Sequence, residues 1–340
     1  MRLRLRRGRH PAPLDRRRRG PGLRAALHIA LGGLILVLTT GAAAPAGLKA
    51  FAWLAPGHDP VAALGFQPPE CLKPQASQAL QVAIGRAAFR SPLILGGQAA
   101  RAGISCETCH RNGRTNPDFL FPGVSGAAGT ADVTSSIFSS HRGNGVDDPR
   151  PIPDLGGPKA ALKIDQSPDA RALEPFIHGL ITQEFDGPEP PPAVLEGLAA
   201  YVRALDPAAC PTGDTPTPLT SASYLADAAM AERTAEFSLY RKDPATALVL
   251  LDAARSRLGL LAERYDRSPK LTRRLARSST DMAAAADRLR AGDIPAAQRI
   301  LTRWQDDWPQ LLLDLKADEP NSLFAPARLS AAPRLPPQAS

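Results

Sequence analysis

Apolar residues recur at helical spacing in two separate parts of the chain. Leu80, Ala83, Ile84 and Ala87 fall on one face of a helix that must stop before the Ser91-Pro92 break, and Leu195, Leu198, Tyr201, Val202 and Leu205 mark a second helix. Between them the pattern breaks into short Gly- and Pro-rich pieces, which predicts irregular chain with turns. Beyond Pro211 the pattern changes, because residues 221–318 hold just two glycines, Gly259 and Gly292, and carry long stripes. One stripe runs Leu248, Leu251, Ala254, Leu258, Leu261, Tyr265, and another Ala297, Ile300, Leu301, Trp304, Trp308, Leu311, Leu312, Leu315. Three helix starts are marked by a capping residue with proline in the first turn: Asp243-Pro244, Ser268-Pro269, and Asp293 followed by Pro295. Helices of about 20 residues with short loops predict an antiparallel bundle of four. The expected fold class is mainly α. A loop-rich domain over 51–210 leads through a linker, 211–220, to a four-helix bundle over 221–318 and a disordered Pro- and Ala-rich tail over 319–340.

The chain has 340 residues and a formal charge of +8, which by itself points to a polyanion partner. Residues 1–24 account for it, with ten arginines and one acid, Asp15. From totals of 41 basic and 33 acidic residues, 31 and 32 remain over 25–340, so the folded part is close to neutral and nucleic-acid binding drops out. Residues 25–48 contain no Asp, Glu, Lys or Arg, and Ala44-Pro45-Ala46 supplies small residues in an A-x-A pattern. A basic flank, an apolar run and small residues predict an export signal over 1–50. The same 24 uncharged residues would make a helix of about 36 Å, enough to span a hydrocarbon core of about 30 Å, so an uncleaved inner-membrane anchor is the alternative. Either way the remainder is expected in the periplasm.

Four cysteines divide into two jobs. Cys106-Glu107-Thr108-Cys109-His110 is a C-x-x-C-H run, which reads as attachment of a c-type haem. Two thiols three positions apart can add to the two vinyl groups on one porphyrin edge, and the histidine that follows is placed under the iron as proximal ligand. A zinc site would need further ligands at short spacing, and the next histidine is His141. The first domain is therefore expected to be c-type cytochrome-like, holding one covalent haem through Cys106, Cys109 and His110. Cys71 and Cys210 flank this segment, and an oxidising compartment favours a disulfide between them.

The opposite face of the iron is open to several ligands. No methionine stands between Met1 and Met230, so a His/Met iron cannot be built within the haem domain, and Met230 and Met282 read as helix-face residues of the bundle. His178, flanked by apolar residues in Pro175-Phe176-Ile177-His178-Gly179, is the candidate distal ligand; His141, in a polar turn, is the alternative, and His58 the least favoured.

Residues 78–205 resemble the bacterial cytochrome c peroxidase and MauG-like haem proteins. The resemblance rests on Ile84-Gly85-Arg86-Ala87-Ala88-Phe89, on Gly103-Ile104-Ser105 leading into CETCH, on Pro151-Ile152-Pro153-Asp154-Leu155, and on Pro175–Gly179. It implies a helical cytochrome fold around haem. The departures are that this chain has one C-x-x-C-H where that family usually has two, lacks an aspartate in the Pro175–Gly179 motif, and has no tryptophan between Trp53 and Trp304. Two functional classes follow. One is an exported mono-haem carrier that exchanges electrons with a redox partner protein or a quinol-linked chain. The other is a haem peroxidase or other small-ligand oxidoreductase, with His178, Gln183 or Glu184 as distal groups. The bundle carries no histidine or cysteine and contributes no evident chemistry.

Overall fold

The computed structural model describes residues 48–135, 137–141, 143–158, 162–167, 170–210 and 215–333. The arginine-rich start and most of the apolar run that predicts a signal or anchor lie outside the described residues. Among the described residues no helix is long and apolar enough to cross a membrane.

The chain is mainly helical. In order come α1 (Pro60–Gly65), β1 (Phe66–Gln67), α2 (Ala79–Phe89), α3 (Gly97–Ala102), α4 (Cys106–Cys109), β2 (Thr130–Ala131), β3 (Arg150–Pro151), α5 (Leu173–Gly179), α6 (Pro192–Ala204) and β4 (Thr217–Pro218). The long helices α7 (Ser221–Tyr240), α8 (Pro244–Arg264), α9 (Pro269–Arg290) and α10 (Ile294–Asp318) follow, and α11 (Pro326–Ser330) ends the series. The strands only form two antiparallel two-residue pairs, β1 with β4 and β2 with β3.

The expected caps are in place at α8 and α10, where Asp243 accepts from the Thr246 amide and Asp293 from the Ala296 amide. Ser268 precedes α9 but turns its hydroxyl to Asp318 instead. Each of α7 to α10 packs on the next, and α10 returns to α7, which closes the bundle. The stripes meet inside it: Leu251, Leu261, Leu301, Leu311 and Leu315 are fully buried.

Helix α2 is buried on nearly every side, because it is wedged between α6 and the pair α7 and α8. Its approach to α6 is backbone to backbone, since a Cβ at Gly85 would overlap the Gly197 carbonyl. One continuous core runs from Val82 and Leu198 to Leu225, Leu258 and Met282. The described chain thus falls within one compact unit. The described part of the expected linker is part of that unit: Thr217 and Pro218 pair with Gln67 and Phe66. Residues 319–333 depart from the expectation of a disordered tail. Leu323 and Leu329 are buried against Leu48, Phe51, Leu54 and Ala63, an apolar surface that composition alone does not reveal.

Glu232 of α7 is buried in the bundle beside Glu236, and the Gln305 side-chain amide donates to both. Burial and the Glu236 charge push the Glu232 carboxyl up from 4.5 to about 8. Between these values the folded chain keeps a proton that the unfolded chain releases, so stability falls as pH rises through the window. Thermal unfolding of Glu232→Gln is expected to show a gain over the parent that is largest at about pH 8 and nearly absent near pH 4. A gain independent of pH would contradict this account.

Candidate functional site

The C-x-x-C-H residues sit on a single turn with defined ends. Gly103 closes α3 in the left-handed region at φ +74°. Ile104, 1% exposed, then anchors the chain, and the Ser105 amide donates to Thr108 Oγ1 at 3.0 Å. Cys106–Cys109 form α4, and the His110 amide donates to the Cys106 carbonyl at 2.8 Å, so both thiols and the imidazole belong to one turn. Asn112 (φ +50°) and Gly113 (φ +77°) end it sharply. At Gly113 a side chain would also run into Leu205 of the chain leaving α6.

His110 is oriented from below. Its Nδ1 lies 3.0 Å from the carbonyl oxygen of Pro153. The carbonyl can only accept, so Nδ1 carries the proton and Nε2 is left with its lone pair. Nε2 makes no hydrogen bond among the described residues. The Pro153 turn is itself pinned: Leu155 and Gly156 amides donate to the Gly113 carbonyl, and Arg114 Nε reaches both Asp154 oxygens at 2.8 Å. Burial lowers the His110 imidazole to about 4, with the Pro153 carbonyl and Asp154 offsetting only part of it, so the ring is neutral. The Phe89 ring lies 6.4 Å from it.

Cys106 and Cys109 are free thiols, whereas a disulfide joins Cys71 to Cys210 across 139 residues. Burial pushes both free thiols up to about 12, which keeps them protonated.

A buried ion network that sequence reasoning missed lies behind the turn. Arg90, 3% exposed, donates to Glu70 at 2.7 Å and to Asn112 Oδ1 at 2.6 Å, and Arg86 donates to Glu70 at 2.8 Å and Asp227 at 2.6 Å. Tyr201 also donates to Glu70, at 2.8 Å. Although burial works against it, Arg257, Arg90 and Arg86 hold the Asp227 carboxyl down to about 2. The network ties α2, the residue after Arg111 and the bundle together. The available signal was Arg86 in the last turn of a largely apolar helix and Arg90 directly after its end, four residues apart.

The distal candidates stand apart in their bonding. His178, on α5, has Nε2 2.9 Å from Glu189. His141, largely exposed, has Nδ1 2.9 Å from Asp186, and its Nε2 has no bond among the described residues. The two segments are joined, because Ser139 Oγ donates to the Gln183 carbonyl at 2.5 Å and the Ser140 amide to Asp186. His58 pairs with Asp118 at 2.8 Å. Met282 is buried in the bundle core and Met230 lies on the outer surface of α7. Gln183 and Glu184 lie in the π-helical turn that extends α5. Among the described residues no group of three or more His, Cys, Asp or Glu side chains is placed to hold a metal ion. A haem iron needs fewer protein ligands than that, because the porphyrin supplies four.

Compared with protein-family models, curated proteins and solved structures, the chain gives no match.

Proposed function

We propose that the protein is an exported mono-haem c-type cytochrome that works by one-electron transfer. The observation that carries this is the pairing of His110 Nδ1 with the Pro153 carbonyl directly after two free thiols on one helical turn. A histidine that ligates a metal through one ring nitrogen is ordinarily oriented by a carbonyl or carboxylate at the other. The residues present fit a haem: Cys106 and Cys109 would hold it covalently and His110 would give the iron its nitrogen. Attachment would add each S–H across one vinyl C=C, sulfur to one carbon and hydrogen to the other, with no leaving group. When bound, the haem supplies an iron couple that accepts and returns a single electron.

The protein's own part is to set the iron's surroundings. The Pro153 turn fixes the imidazole tautomer and orientation, and the Asn112-Gly113 bend turns the chain sharply after His110. Export is supported by the Cys71–Cys210 disulfide, which persists in oxidising compartments, and by the arginine-flanked apolar run over 25–48. A periplasmic redox partner, or a quinol-linked chain at the inner membrane, then provides the electron. His178 or His141 would supply a further nitrogen to the iron, and their replacement separates them.

The test is the ferric spectrum of the exported protein. A low-spin spectrum unchanged by cyanide or peroxide is expected, turning high-spin in either His178→Ala or His141→Ala but not in both. A high-spin parent that reacts with peroxide would replace electron transfer with the peroxidase alternative.

A further inference from the structure

A cavity of about 320 Å³ lies between the C-x-x-C-H turn and the bundle. One wall is the outward side of α4, with Ser105, Glu107 and Thr108, and the facing wall is α7 and α8, with Tyr224, Arg257 and Arg264. By the liquid volume of water it has room for about ten molecules. Its charges do not cancel. Five arginines line it against three carboxylates, Glu107, Asp118 and Asp227, and Glu70 behind the wall is the fourth acid of the cluster.

The excess is localised. Arg264 is 4% exposed, and its two terminal nitrogens donate to the Leu323 carbonyl at 2.9 Å and the Leu64 carbonyl at 2.6 Å. No carboxylate lies within salt-bridge distance of it among the described residues. Arg257, one element of the same helix face and 7% exposed, has a buried Nε without a hydrogen-bond partner. That Nε lies 3.5 Å from Asp227, an ion pair that Arg257 shares with Arg86 and Arg90. Both guanidinium groups lie against one ring, Tyr224, at 5.6 and 5.8 Å from its centroid. The one charge of the cluster left without a carboxylate therefore rests on Arg264, and in a site of low dielectric an anion beside it offsets that charge. Trp53, Leu54, Leu64, Leu219 and Leu260 give the cavity an apolar side, and Gln67, Asn116 and Ser223 add neutral polar groups.

We infer that this cavity binds a small organic monocarboxylate, its carboxylate on Arg257 and Arg264 and its apolar body on the Trp53 and Leu54 side. Planar guanidinium forks match a carboxylate, a single excess positive charge matches a monoanion, and the apolar wall matches a hydrocarbon body. The site stands on the bundle as much as on the haem turn and does not rest on the haem reading.

The experiment is calorimetric titration of the whole exported protein with sodium benzoate, alongside benzyl alcohol and sodium phosphate. One saturable benzoate site is expected, with neither control binding comparably. Arg264→Met should weaken benzoate by about tenfold or more, the loss of a charge-assisted hydrogen bond. Because Arg264 also holds two carbonyls, Ala226→Trp at the cavity lining is the second variant; it adds bulk without touching a charge and should abolish binding with the unfolding midpoint retained. No benzoate binding, equal binding of phosphate or benzyl alcohol, or benzoate affinity unchanged in Ala226→Trp would each overturn the inference.

Discussion

Replacing Cys106 and Cys109 together by alanine is expected to yield an exported chain that carries no colour through denaturing electrophoresis. The parent, made in cells able to mature c-type haem, should keep the stain for haem peroxidase activity in the same band. The reasoning is local. Both thiols sit on one turn, α4, and neither is spent in a disulfide, so each is available to the porphyrin edge. Either single variant should retain one thioether at most and lose most of its haem on maturation, while the double variant loses all covalent attachment. His110→Ala is distinguishable, since it leaves the thiols intact and removes the proximal nitrogen. A double variant that still carries haem after denaturation would contradict the attachment chemistry.

Arg90→Met is expected to lower unfolding stability by about 3–5 kcal/mol, the usual effect of removing one partner from a buried ionic cluster. Arg90 is 3% exposed and bonds Glu70, Asn112 and the Arg86 carbonyl, with its guanidinium 5.8 Å from the Tyr201 ring centroid. Methionine keeps an unbranched apolar stem but leaves Asn112 Oδ1 without its donor. Asn112 holds a left-handed conformation two residues after His110, and its other polar atom is anchored on the Pro68 carbonyl. The variant should therefore also lower the yield of haem-loaded protein. Denaturant unfolding at constant pH measures the first effect and absorbance per mole of chain the second. A stability change below about 1 kcal/mol would show that the cluster is screened by water and contributes little.

Much of the helical framework was legible because it is written at short range. The α8 and α10 starts follow from Asp243 and Asp293, whose carboxylates cap amides three residues on. The α2 and α6 stripes are apolar enough to read, though α2 is buried on more sides than one stripe predicts because the bundle covers its far face. That Cys106, Cys109 and His110 share one turn was legible for the same reason, since they lie within five residues. What was not legible is long-range. Pro153 is 43 residues from the histidine that it orients, and nothing in its neighbourhood says which carbonyl will face the ring. Asp227 is 141 residues from Arg86 and looks like an ordinary surface acid of a bundle helix. The packing of Leu323 and Leu329 on Phe51 joins two segments at opposite ends of the described chain, so the Pro- and Ala-rich composition around it reads as disorder. Short-range pattern ranks His178 above His141 by its apolar neighbours, but the long-range partners Glu189 and Asp186 place both in similar acidic pairs.

The most direct measurement is the intact mass of the purified, exported chain, taken after denaturation and reduction together with its ferrous pyridine spectrum. The account predicts a mass exceeding that of the polypeptide by one haem, with the absorption of a porphyrin joined through two thioethers. A colourless protein at the mass of the polypeptide alone, from cells that mature a control c-type cytochrome, would contradict it.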